Sequence, residues 1–212
     1  MTLQAAIIPV TPFQQNCSLW WNPETGRGVV IDPGGDVERI LAGIEQVKLS
    51  VDAILLTHGH MDHAGGAAAL QAALPGTPPI IGPDRRDAFL LEGLAEQGAK
   101  YGMAARAVTP DRWLAEGDSV AIGGESFDVL HCPGHTPGHI VFVNPALKLA
   151  IVGDVLFRGS VGRTDFPYGD PDALIAAITE KLLPLGDDIR FLCGHGPAST
   201  FGEERQNNPF LR

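Results

Sequence analysis

Apolar residues enter the chain in short blocks. Residues 5–10, 16–21 and 28–32 are rich in Val, Ile, Leu and Trp and are separated by turn residues, which predicts three short strands. The period then changes. Val37, Ile40, Leu41 and Ile44 recur at helical spacing, so a helix is expected over 36–48 with Asp36 as its N-cap. Residues 51–56 are apolar apart from Asp52, the pattern of a strand buried on both faces. A helix of small residues is expected over 64–74, stopped by Pro75-Gly76, and residues 84–103 read as helical with a break near Gly98. Two strand pairs follow, 119–122 with 125–131 turning at Gly123-Gly124, and 140–143 with 149–152 turning near Asn144-Pro145. An amphipathic helix over 172–183 ends at Pro184 and Gly186, and residues 189–193 form the last strand. Strands alternate with helices in both halves, so sheets covered by helices are expected. No linker or long-period repeat is visible, and one domain spanning 1–212 is expected.

Glycine and proline together supply about a fifth of the 212 residues, read as tight turns and active loops on a rigid scaffold. The formal charge is −10. No basic stripe marks a nucleic-acid surface, and an acidic surface does not attract anions from a distance. An anionic ligand therefore needs a local positive centre, an Arg or a metal ion. The three cysteines, Cys17, Cys132 and Cys193, form no C-x-x-C and are read as core residues in a reducing, cytoplasmic setting. No secretory leader and no membrane-spanning run is visible. Trp20 and Trp21 are adjacent on a strand, so one is expected to face inward and the other outward or toward a pocket rim.

The chemistry concentrates where the strand over 51–56 ends. His58, His60, Asp62 and His63 fall within six residues, on a glycine-bearing segment at a strand end. Imidazole and carboxylate are ligands for zinc, iron or manganese. Two histidines at i and i+2 can approach one ion from an extended turn, while Asp62 and His63 project in directions that suit a second. One loop cannot complete two coordination shells. His135, Asp154 and His195 each follow a glycine at or near another strand end and are the candidates to complete them.

This ordered set, Thr57-His58-Gly59-His60-Met61-Asp62-His63 followed by His135, Asp154 and His195, resembles the metallo-β-lactamase superfamily. The resemblance implies a four-layer αββα sandwich of mixed α/β content with metals at one edge between two sheets. It implies His58, His60 and His135 on one ion, Asp62, His63 and His195 on the second, and Asp154 bridging. It also implies that Asp32 braces the histidine loop from behind; from the sequence alone, Asp32 is equally readable as a turn residue before Pro33. His139 is either a hydrogen-bonding prop for the loop or a packing residue.

Further stretches, Gly159-Ser160-Val161-Gly162-Arg163-Thr164-Asp165-Phe166-Pro167-Tyr168 above all, with Cys132-Pro133-Gly134-His135 and Asn208-Pro209-Phe210-Leu211, are similar to bacterial single-domain enzymes of glyoxalase II type. That resemblance implies a hydroxyacylglutathione hydrolase: a dinuclear-metal-bound hydroxide attacks a small-molecule glutathione thioester, S-D-lactoylglutathione first, with Asp62 orienting the nucleophile. Zinc is the ion expected first, with iron or manganese as alternatives, and the chain is expected to act as a monomer or homodimer without nucleic acid or membrane partners. Conventional glyoxalase II enzymes add a C-terminal helical domain that contacts glutathione, whereas this chain ends 17 residues after His195. Anchoring by Arg163, with Arg158 and Tyr168 behind it, is expected instead; alternatively Arg163 pairs with Asp165 or Asp170 and fixes its loop. The rival enzyme is a persulfide dioxygenase with one iron on His58, His135 and Asp154. Lactonase chemistry is a further hydrolytic option.

Overall fold

A computed structural model describes residues 3–212. One sheet has the order β1-β2-β3-β4-β5, from β1 (Gln4–Val10), β2 (Gln15–Trp21), β3 (Arg27–Ile31), β4 (Ser50–Leu55) and β5 (Ile80–Ile81). Its first three strands are antiparallel, and β4 and β5 continue parallel to β3. The second sheet takes in β6 (Ser119–Ile122), β7 (Glu125–His131), β8 (Ile140–Asn144), β9 (Leu149–Gly153), β12 (Arg190–Cys193) and β13 (Ser199–Thr200). Its order is β13-β12-β9-β8-β7-β6, with β12 parallel to β9 and the other pairs antiparallel. A small hairpin, β10 (Leu156–Phe157) with β11 (Ser160–Val161), stands apart.

The period of two along each strand explains the stacking of the layers. In β3 and β4, Val29, Ile31, Ala53 and Leu55 point into the core between the sheets, where Ile140, Phe142 and Ile151 meet them. The alternate residues Val30 and Ile54 point the other way, into a core covered by Ile40 and Ile44 of α1 (Val37–Val47) and Leu70 of α3 (Ala67–Ala73). Val141, Val143, Ala150, Val152 and Phe191 face outward from the second sheet onto α6 (Pro171–Ala176), the helical turns after it and α7 (Phe201–Asn207). Every central strand is thus covered on both faces, which its continuous apolar composition requires. The result is the four-layer αββα sandwich.

Several local expectations are corrected. Asp36 holds the N-cap position of α1 as expected, but with φ +48° its side chain caps no helical N–H; Oδ2 accepts the Thr11 N–H at 2.8 Å instead. The segment 64–74 is two helices, α2 (Met61–Ala64) and α3, because Gly65 and Gly66 press against the backbone of Gly34 and Pro33. The helical stretch 84–103 resolves into α4 (Ala88–Glu92) and α5 (Leu94–Lys100) and breaks at Gly93, not Gly98. Gly98 lies inside α5, where a β-carbon would meet the Met103 carbonyl at 2.6 Å. The helix after Asp170 widens to π-helix over Ala177–Leu182. Trp20 and Trp21 are both buried, Trp20 between the sheets and Trp21 under α1, so neither reaches a pocket rim.

Candidate metal centre

Five chain segments meet at one edge of the sandwich. Asp32 follows β3 and the His58–His63 segment follows β4, while Asp154 and His195 follow the mutually parallel β9 and β12. His135 lies in the connection from β7 to β8. Gly194 shows how tight the convergence is: a β-carbon there would lie 2.0 Å from Asp154 Oδ1 and 2.5 Å from His63 Cε1.

Two separate groups of ligand atoms result, each within 4.8 Å, His58, His60 and His135 in one and Asp62, His63 and His195 in the other; a third set within the same limit, Asp32, His58 and His63, overlaps both. His60 Nδ1 lies 3.2 Å from His58 Nε2 and 2.9 Å from His135 Nε2. Asp154 stands between the groups, with Oδ1 3.3 Å from His63 Nε2, and Oδ2 3.6 Å from His135 Nε2 and 3.5 Å from His195 Nε2. Asp62 Oδ2 is 3.3 Å from His195 Nε2.

The outer hydrogen bonds fix which ring nitrogens face inward. Thr57 donates its N–H to Asp32 Oδ1 at 2.8 Å and its hydroxyl to Asp32 Oδ2 at 2.6 Å. The Thr57 oxygen is then the acceptor for His58 Nδ1–H at 3.0 Å. His63 donates Nδ1–H to Asp32 Oδ2 (2.9 Å), His135 to the Arg163 carbonyl (2.8 Å) and His195 to the Phe13 carbonyl (3.2 Å). His60 donates Nε2–H to the Tyr168 hydroxyl at 2.8 Å. His58, His60 and His135 therefore turn bare lone pairs toward the centre, while His63 and His195 turn their Nε2 atoms toward the Asp154 and Asp62 carboxylates. Lone pairs about 3 Å apart repel unless a cation lies among them, and the buried Asp154 Oδ1 has no hydrogen-bond partner of its own. Such a donor set fits divalent metal ions, held by outer contacts that orient each ligand.

Protonation follows the same geometry. Burial holds His58 well below its ordinary pKa, helped by the neighbouring histidines, and lowers His60 to about 3. His135 is also lowered by burial. All three are neutral ligands at pH 7. Burial opposes the charge on His63 as well, but Asp154 and Asp32 outweigh it and raise its pKa. Asp62 and Asp154 are held low despite burial, by His195 and His63 respectively, and stay ionised.

A model of the metallo-beta-lactamase superfamily matches residues 10–195, which takes in every one of these residues. The chain belongs to that superfamily. The "Hydroxyacylglutathione hydrolase GloC" of Haemophilus influenzae is 50% identical to it over 207 residues, 97% of this chain and 96% of the relative. Among solved structures, the protein titled BLEG-1 B3 metallo-beta-lactamase superposes with TM-score 0.89 at 34% identity, over 98% of this chain and 99% of that one. TTHA1623, solved in a di-iron-bound form, superposes with TM-score 0.86 at 41% identity, over 97% and 100%. The protein is a metallohydrolase of the metallo-β-lactamase superfamily.

In this superfamily member the remaining sequence-chosen residues fall in different places. His139 stacks on His58 at 4.6 Å, and its Nε2 accepts the Asp154 N–H at 3.0 Å, so it both packs and props the loop. Beside the centre lies a cavity of about 620 Å³ lined by Phe13, Phe89, Phe166, Tyr168, Arg163 and α5, among others. Arg163 is exposed there and pairs with Asp165 through Nε and Nη2, both at 2.9 Å. Arg158 is exposed but is not part of the cavity wall.

The sequence reading missed Asp87. Fully buried, it accepts the Gly59 N–H (2.9 Å), the Thr136 hydroxyl (2.7 Å) and the Gly138 N–H (2.5 Å). It therefore ties the His58–His60 turn to the His135–His139 loop. Asn16 was also missed; its Nδ2 holds the carbonyls of Cys193 and Gly196 on either side of His195. No local motif marks Asp87, and Gln15-Asn16-Cys17, though part of the family resemblance, gives Asn16 no role, because each residue acts on backbone far away in sequence.

Proposed function

We propose that this metallohydrolase cleaves S-D-lactoylglutathione to D-lactate and glutathione. His58, His60 and His135 would hold one divalent ion, Asp62, His63 and His195 a second, with Asp154 between them. The observation that carries the reading is the convergence of seven donor residues, five of which (His60, Asp62, His135, Asp154 and His195) line a cavity large enough for a tripeptide thioester. The 50% identity to the Haemophilus hydroxyacylglutathione hydrolase supports the substrate. Zinc is the ion expected first from an imidazole–carboxylate set, and the di-iron form of TTHA1623 supports iron as the alternative. Ions so bound supply Lewis acidity, lowering the pKa of water and polarising a carbonyl.

The chain's own groups do the rest. Asp62 is ionised and accepts a hydrogen bond from the attacking water, aligning it with the thioester carbon. Burial pushes the Tyr168 phenol up to about 12, so it stays protonated. Its oxygen accepts the hydrogen bond from His60 Nε2–H, which leaves its own O–H to donate to the ligand. The C–S bond breaks as the new C–O bond forms, and a thiolate leaves without a strong acid. The phenyl rings of Phe13, Phe89 and Phe166 line the cavity and give the ligand an apolar surface beside the reacting centre. A persulfide dioxygenase needs only His58, His135 and Asp154, so the second cluster of Asp62, His63 and His195 favours hydrolysis.

The test is anaerobic cleavage of S-D-lactoylglutathione by purified, metal-replete protein, with thiol and D-lactate both measured. Turnover without oxygen, lost together with bound metal in Asp154→Ala, is the expected result. No turnover, with oxygen uptake on glutathione persulfide, would overturn it.

A further inference from the structure

The cavity wall contributed by α5 is polar where a packed helix face would be apolar. Gly93, Glu96, Gln97 and Lys100 follow one another at helical spacing and all line the cavity, while Leu94 and Gly98 on the other face are buried. Glu96 Oε1 and Lys100 Nζ form an ion pair of 3.0 Å, with side chains 79% and 64% exposed. Gln97 is committed elsewhere, donating to the Leu90 carbonyl at 2.8 Å. Lys100 and Arg163 are the only Lys or Arg side chains among the described residues that line this cavity.

Their environments differ in a useful way. Lys100 comes with an anion one helical turn away, so this patch presents both signs side by side. Arg163 shares the cavity wall with Tyr101, which follows Lys100 at the C-terminal end of α5, and with Tyr168. Asp165 occupies its Nε and Nη2, and Nη1 remains for another carboxylate. A ligand carrying an α-amino acid head and a separate carboxylate has the matching charges. Its zwitterionic head can lie antiparallel along the Glu96–Lys100 pair. That arrangement brings in no net charge and so adds little desolvation cost.

We propose that Glu96 and Lys100 bind the γ-glutamyl end of glutathione, ammonium on Glu96 and α-carboxylate on Lys100, while the glycyl carboxylate goes to Arg163. This rests on the thioesterase reading above and gives glutathione one orientation, with its thiol end toward the metal centre.

The experiment combines kinetics with binding, so that the two readings fail separately. S-hexylglutathione binding is measured by calorimetry on the metal-replete protein, and KM is measured for S-D-lactoylglutathione and for its N-acetyl derivative. Lys100→Ala and Glu96→Gln should each weaken S-hexylglutathione binding and raise KM about fivefold, as exposed charge pairs do, with a smaller change in kcat. N-acetylation should raise KM for the native protein and should no longer do so in Glu96→Gln. Both side chains are exposed, and circular dichroism checks that the variants fold. Unchanged binding in both variants, or an acetylation penalty that persists in Glu96→Gln, would overturn the proposal. If the native protein cleaves no thioester, the functional reading fails, and the S-hexylglutathione affinities still decide whether the α5 pair recognises glutathione.

Discussion

The Asp87 carboxylate accepts three hydrogen bonds from two loops and makes no ion pair among the described residues, which sets it apart from the acidic residues at the metal centre. Burial pushes its pKa up to about 6. Its folded pKa is thus above its unfolded one, so its contribution to stability is fully present below about pH 4 and fades as pH rises through 6. At 1.4 kcal/mol per pH unit, this is worth up to about 3 kcal/mol. The Asp87 contribution is read as the difference in urea-unfolding free energy between native protein and Asp87→Ala, both chelator-treated, which should fall as pH rises from 4 to 7; the opposite slope from the buried neutral histidines His58, His60 and His135 is common to both proteins and cancels. The same variant strands the N–H groups of Gly59 and Gly138 and the Thr136 hydroxyl beside the ligand loops. Metal affinity, read by chelator competition, should fall about 10–100-fold, as when a residue orienting metal ligands is removed. Native affinity in Asp87→Ala would show that the loops hold their geometry without it.

At the scale of elements, α7 reaches the metal centre through the loop that follows Asp154. Glu204, buried on α7, accepts the Gly159 N–H at 2.7 Å, the Ser199 hydroxyl at 2.5 Å and an Asn208 Nδ2 hydrogen at 2.9 Å. Asn208 also donates to the Ser160 carbonyl at 2.9 Å. The braced loop leads to Arg163, whose carbonyl orients His135. Asn208→Ala should therefore speed hydrogen exchange at Gly159 and Gly162 by about tenfold, the effect of losing roughly one hydrogen bond. Exchange confined to the C-terminus would show that α7 does not brace the loop. The sequence contained the Asn208-Pro209 motif but nothing that revealed this partnership. Elements with a clean period were legible: the hairpin turning at Gly123-Gly124 falls where its pattern predicts. The two-residue strands β5, β10, β11 and β13 carry too few positions to show a period, and long-range pairing rather than local propensity creates them. The breaks at Gly65-Gly66 and Gly93 were misplaced or missed because glycine spacing alone does not say which glycine meets foreign backbone. The histidine cluster was legible because four ligand-type residues sit in one short segment; Asp87 and Asn16 were not, because their partners lie far off in sequence.

For the whole molecule, net charge and local chemistry pull in opposite directions. The chain carries −10, and the proposed thioester is itself an anion, so long-range forces oppose their meeting. Near the centre the sign would reverse, through the proposed cations with Arg163 beside them; the Glu96–Lys100 pair is neutral overall. The two effects separate by range. At an ionic strength of about 0.01 M the Debye length is about 30 Å and the whole surface repels the ligand; at about 0.15 M it is about 8 Å and only nearby groups still act. Moderate salt should therefore raise kcat/KM for S-D-lactoylglutathione, by about twofold across that interval if repulsion amounts to a few tenths of a kcal/mol. The increase should appear in kcat/KM and not in kcat, because encounter is affected while the bound complex is not. A lactoyl thioester of a neutral thiol should show no such rise, which separates screening from any direct action of salt on the metal centre. A steady fall of kcat/KM with salt for the glutathione thioester would mean that the cavity's positive groups govern approach from a distance and that the acidic surface lies too far from the mouth to matter.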